Sequence, residues 1–163
     1  MMKKIILFKL FFLTGFLLNA QERLLPTLTD MTAILRTGDI KKMSRLVDSL
    51  NYIVVDSAVM TDGRLSFISK EPVLIGWTTL GCWTNKKRVI EGISLKVRSR
   101  SQYDKLLAEM NRLGFKATGP KSKGASEGEL SQDYEKGKIL ISTVTSRAAL
   151  GWQFEFYISN MGI

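Results

Sequence analysis

From Leu150 to Ile158 the chain reads LGWQFEFYI. Trp152, Phe154, Phe156 and Ile158 fall on one side of an extended strand, with Gln153, Glu155 and Tyr157 on the other. A period of two with large apolar groups on one side fits a strand that buries one face and wets the other. EGISLKVRSR repeats the pattern, with Ile93, Leu95 and Val97 alternating with Ser94, Lys96 and Arg98. A one-sided sheet needs an apolar cover, so the rest of the chain has to supply one.

Helical segments can do so. MTAILRTGD and IKKMSRLVDSLNY read as helix, turn and helix. Thr29 or Asp30 can cap the first, Gly38 can end it, and Asp39 can cap the second. Ile40, Met43, Val47 and Leu50 recur at three and four residues, one apolar stripe. Ser101 can cap a third helix, QYDKLLAEMNRLG, whose apolar face is Tyr103, Leu106, Leu107, Met110 and Leu113, with Gly114 as its stop. YIVVDSAVM, LSFISK, LIGWTTLGCWT, FKATG, ELSQDYEK and KILISTVTS read as further strands. Turn or break signals stand at DGR (62–64), Glu71-Pro72 and Lys136-Gly137, and Gly81 marks a bulge or a strand end. The fold class is α+β, with helices packed on one face of an antiparallel sheet.

The pattern also predicts a tandem duplication of a helix-plus-three-strand unit, 21–90 and 91–163, folded as one compact unit. An offset of 63 places Ile40, Met43, Val47, Leu50 and Tyr52 on Tyr103, Leu106, Met110, Leu113 and Phe115. Gly76-Trp77 falls on Gly151-Trp152 at an offset of 75, and the loop 121–128 could absorb the difference. Helical period alone accounts for part of this match.

Residues 1–20, MMKKIILFKLFFLTGFLLNA, have a basic start and an apolar run from Ile5 to Leu18. That is the layout of a secretory signal peptide, and cleavage is expected near Ala20. The run is short for a membrane span and Lys9 interrupts it. The expected location is therefore periplasmic or secreted. Membrane contact is expected only through an uncleaved leader. Losing Lys3, Lys4 and Lys9 with the leader takes the formal charge from +9 to +6, still basic enough for an acidic partner or a negatively charged envelope surface.

Cys82 is the single cysteine, so no internal disulfide can form, and its place in a strand predicts a buried core residue. There is no histidine, which removes the commonest general base and metal ligand. No nucleophile elbow, phosphate loop or nucleotide fingerprint occurs. No cofactor, metal or catalytic residue is expected. Glu127, Glu129, Asp133 and Glu135 form the one acidic group that could serve a small hydrolase. They lack calcium-loop spacing, and Lys121, Lys123, Lys136 and Lys138 surround them. The Ser-Lys pairs at 69–70 and 122–123 sit at strand ends or in loops, a poor setting for the buried lysine such a nucleophile needs. Arg98 and Arg100 with Tyr103, or Lys86–Arg88 beside Trp83, could stack single-stranded bases. No RNA-binding signature accompanies them, and no nucleic acid partner is expected.

DMTAILRTGDIKKMSRLVDSLNY, QYDKLLAEMNRLGFK and the Gly-Trp strands together resemble, in architecture, the secreted β-lactamase inhibitor proteins. They also resemble small exported modules of the PepSY type and of outer-membrane assembly lipoproteins. The chain is similar, too, to small exported proteins of diderm bacteria with RLGF after a helix and a closing aromatic strand. The resemblance implies helices on one sheet face and an open face that binds protein, and it carries over no catalytic residue. The expected function is that of an exported, non-enzymatic module binding an envelope or secreted protein or peptide. Its expected binding face is Lys96, Arg98, Gln153, Glu155 and Tyr157, since Tyr and Arg are enriched at binding hot spots.

Overall fold

A computed structural model describes residues 25–59, 65–70, 78–123, 128–148 and 151–161. The expected leader, the DGR turn, Glu71-Pro72, Gly76-Trp77 and Glu127 lie outside the described residues.

Helix α1 spans Leu28–Thr37 and α2 spans Ile40–Ser49. Gly38, at φ 62°, ends α1 in the left-handed conformation, and its amide bonds back to Ile34 O. Asp39 then caps α2 through Lys41 N. The start of α1 differs from the expectation. Thr27 caps it, not Thr29 or Asp30, because Thr29 is turned toward a more distant partner. The amides of Leu28 and Thr29 donate to the Glu109 carboxylate at 3.0 and 3.1 Å, and the Thr29 hydroxyl donates to it at 2.9 Å. Asp30 N donates to the Thr27 hydroxyl at 3.0 Å. These are the amides a helix cannot satisfy itself, and every one has a partner. A carboxylate at this end also complements the helix dipole.

Glu109 belongs to α3, Arg100–Arg112. Ser99 caps α3 rather than Ser101. The first turn starts early enough for Arg100 to reach Asp104 one turn on, at 2.9 Å. Tyr103, Leu106 and Met110 are buried, and Leu107 and Leu113 pack at the margin of the core.

The strands are β1 (Ile53–Val59), β2 (Leu65–Lys70), β3 (Thr79–Thr84), β4 (Ile90–Val97), β5 (Lys116–Ala117), β6 (Ser122–Lys123), β7 (Leu130–Lys136), β8 (Ile139–Ala148) and β9 (Gly151–Asn160). They form one antiparallel sheet in the order β1-β2-β3-β4-β9-β8-β7-β5, with β6 also on β7. Phe154, Phe156 and Ile158 of β9 are buried beside Val97, Leu95 and Ile93 of β4, their cross-strand partners. Helix α1 packs on β4 and β9, touching both other helices, and α3 packs on β9. The Tyr103 ring stacks on Phe154 at 4.5 Å between centroids. No helix among the described residues is long and apolar enough to cross a membrane.

Among the described residues α1 and α2 are followed by β1, β2, β3 and β4, and β4 hairpins with β3 before α3 begins. Strand β4 thus runs across the expected division at residue 90. In this order the counterpart of β9 is β4. Gly151 and Trp152 open β9.

Gly81 sits in unbroken register between Ile68 and Ser94. The register shift in β3 and β4 falls between Trp83 and Thr84, leaving Glu91 as the extra residue. This bulge re-phases the strand, so that Ile90 and Ile93, three apart, both bury on the helix side. Opposite Trp83 stands Gly92, and a Cβ there would lie 1.8 Å from Trp83 Cζ2. The indole lies across the Gly92 backbone.

Two substitutions test this account. Gly92→Ala is expected to displace the Trp83 indole and destabilise the fold by about 1–3 kcal/mol, the usual cost of overpacking. Thermal melts with tryptophan emission would show a lower midpoint and a red shift. Glu109→Ala is expected to cost about 1–2 kcal/mol through the lost cap. Amide exchange should rise at Leu28 and Thr29 and stay unchanged at the first turn of α2.

Candidate functional site

On β9 the residues between the buried ones point to the face without helices. Gln153 and Glu155 are half-buried there, and Tyr157 is 39 % exposed. Strand pairing brings β4 alongside: Lys96 stands opposite Glu155 and Ser94 opposite Tyr157. On the other flank β8 places Val144 beside Glu155 and Ser142 beside Tyr157. Tyr157 therefore stands between two serines, whose small side chains leave its ring uncovered.

Glu155 joins the group together. Lys96 Nζ lies 2.9 Å from its Oε1. The Gln153 amide donates to the same oxygen, and the Tyr157 hydroxyl donates to Oε2. The Glu155 side chain is 15 % exposed, and burial alone would raise its pKa. Hydrogen bonds from Tyr157, Lys96 and Gln153, with the Lys96 charge, outweigh burial and hold it below the usual value. The Tyr157 hydroxyl moves the other way, to about 12, through burial, its bond to Glu155, and the charges of Glu155 and Glu129. At neutral pH the cluster is an ionised carboxylate holding three oriented donors. Such a group offers fixed hydrogen-bonding directions on an accessible surface.

Four of the five residues expected to form one face thus meet through a shared carboxylate. Arg98 follows the last paired residue of β4 and is half-buried. Trp152 departs from its expected place. It is 54 % exposed, although Phe154, Phe156 and Ile158 on its side are buried. Strand β4 ends at Val97 opposite Phe154, and Tyr103 near the start of α3 covers Phe154, so the cover stops one row short of Trp152.

Among the remaining candidates, Glu129 is half-buried and near enough to influence Tyr157, while Asp133 and Glu135 are exposed on β7. Among the described residues no three acidic or cysteine side chains gather closely enough to hold a metal ion. The Ser122 hydroxyl is hydrogen-bonded to that of Ser131 at 2.7 Å. Cys82 is buried on the helix side, and burial pushes its thiol up to about 12. Ser94, Ser142 and Glu129 were not expected as neighbours of Tyr157. Their polar phase is visible in the sequence, but their adjacency needs the strand order.

The two shifts have opposite signs. Glu155 is depressed, so its contribution to stability is present above its unfolded pKa and lost as pH falls through the folded one. Tyr157 is raised, so its contribution is present below an unfolded pKa of about 10 and lost as pH rises toward about 12. The melting difference between wild type and Glu155→Gln should therefore shrink on acidification. Ultraviolet difference titration against Tyr157→Phe should find Tyr157 near 12 in the wild type, and closer to 10 once Glu155→Gln removes the charge. No protein-family model, curated protein or solved structure matches the chain.

Proposed function

We propose that the chain is an exported, non-enzymatic binding module whose helix-free sheet face takes a protein or peptide of the envelope or the exterior. The observation that carries this reading is the Glu155 cluster: an ionised carboxylate, a lysine, an amide and a tyrosine oriented together near the middle of an accessible sheet face. Side chains fixed before a partner arrives lose less entropy on binding. Exposed tyrosine supplies broad contact with few torsions to freeze, which suits an anchoring role. Lys96, held against Glu155, and Arg98 beyond it are the cationic groups of this face.

The same reading takes the two halves as copies of one unit. An offset of 61 lays Ile93, Leu95 and Val97 on Phe154, Phe156 and Ile158, close to the offset of 63 between α2 and α3. A profile of related sequences whose halves fail to align near these offsets would remove that part.

A photo-crosslinking residue at position 157 in producing cells should yield a discrete adduct. The same residue at Arg45, exposed on α2, should not. Lys96→Glu should reduce the adduct at 157 several-fold. Equal adducts from both positions, or no effect of Lys96→Glu, would overturn the assignment of this face.

A further inference from the structure

The β8–β9 hairpin is longer than its neighbours. Pairing with β4 stops at Phe154 and pairing with β7 stops at Thr145, yet β8 and β9 stay paired as far as Ala148 and Gly151. Three cross-strand pairs, Ser146–Gln153, Arg147–Trp152 and Ala148–Gly151, thus extend beyond the sheet as a two-stranded ribbon.

Trp152 and Arg147 share one side of this ribbon as direct partners, and both are exposed. That side continues the helix-covered face. One row inward on it stand Leu130, 46 % exposed, and its partner Lys123, also exposed. Arg100 lies at the same end, with its guanidinium 5.8 Å from the Phe154 ring centroid. The start of α3, the positive end of its dipole, is there too. This end of the sheet therefore presents an indole and a leucine beside Arg147 and Lys123, while Arg100 is paired with Asp104.

We propose that this hairpin end is a docking surface for an anionic lipid bilayer, with Trp152 seated at the headgroup level and Arg147 and Lys123 against the lipid phosphates. Charge complementarity commits it to an anionic surface. The projecting shape favours a bilayer, which can yield around a ribbon, over a folded partner, which would need a matching cleft. Tryptophan is the residue most at home at the membrane interface, because its ring is apolar and its N–H needs a polar partner. Basic groups beside it add attraction that falls away within a Debye length of the surface. This contact is separate from the expected leader and from the Glu155 face on the opposite side of the sheet.

The test uses the full chain with vesicles of phosphatidylcholine alone or mixed with phosphatidylglycerol, each containing brominated lipid. The signal is the part of tryptophan quenching that Trp152→Phe removes, so the apolar leader does not contribute to it. In the mixed vesicles this component should be strong. The lipid concentration that gives half of it should rise roughly thirtyfold with Arg147→Glu, as expected for reversing one charge near the surface. The component itself should fall with added salt and be near absent in phosphatidylcholine. Both residues are exposed, and thermal melts matching the wild type would show that the variants fold. Equal quenching in the two vesicle types, or no effect of Arg147→Glu, would overturn the proposal. So would a Trp152 emission shift with soluble polyglutamate but not with the mixed vesicles, which would make the occupant an acidic protein.

Discussion

The pairing of β4 with β9 is the contact on which the rest of the molecule depends. It joins a strand from the first half of the chain to the last strand of the second, and it lies at the centre of the sheet. Six buried side chains, Ile93, Leu95 and Val97 with Phe154, Phe156 and Ile158, meet along it. Helix α1 is packed over this seam, and α3 is placed by the stacking of Tyr103 on Phe154. A slip of one residue would turn all three β9 side chains into water and present Glu155 to the helices. The apolar side thus fixes the register, and the register assembles the polar side.

That coupling explains how four residues from two distant segments can meet around one carboxylate. Lys96 and Glu155 are cross-strand partners because Leu95 and Phe156 beside them have to share a core. Gln153 and Tyr157 reach the same carboxylate from either side, two residues away on β9. Trp83 contributes differently. Its ring lies across Gly92, so one large aromatic group of this face is spent on covering backbone rather than standing free.

The strands were legible wherever one face is buried. Period two in 93–97 and 152–158 located β4 and β9, and helical stripes located α2 and α3. The stops at Gly38 and Gly114 were readable because both take positive φ, at 62° and 82°. The caps were less so. Thr29 and Ser101 carry the right side chains, but Glu109 and the Arg100–Asp104 pair decide where the helices begin. Trp152 follows the alternation perfectly and is still exposed, because alternation reports which side a residue takes and not how far the cover extends. Lys96, Gln153, Glu155 and Tyr157 could be assigned to one face from phase alone. Their joining through one carboxylate depends on β4 lying beside β9, and no local pattern carries that information.

The Glu109 tie to α1 has a consequence for the order of assembly. The carboxylate that completes the first turn of α1 lies 81 positions after Leu28. A ribosome delivers α1, α2 and four strands before α3 exists. Until then the opening amides of α1 have only Thr27 and water to bond. The first half therefore cannot reach its final form by itself, and α1 is finished only when α3 has settled on β9. The first turn of a helix near the start of the chain is thus completed by the later half.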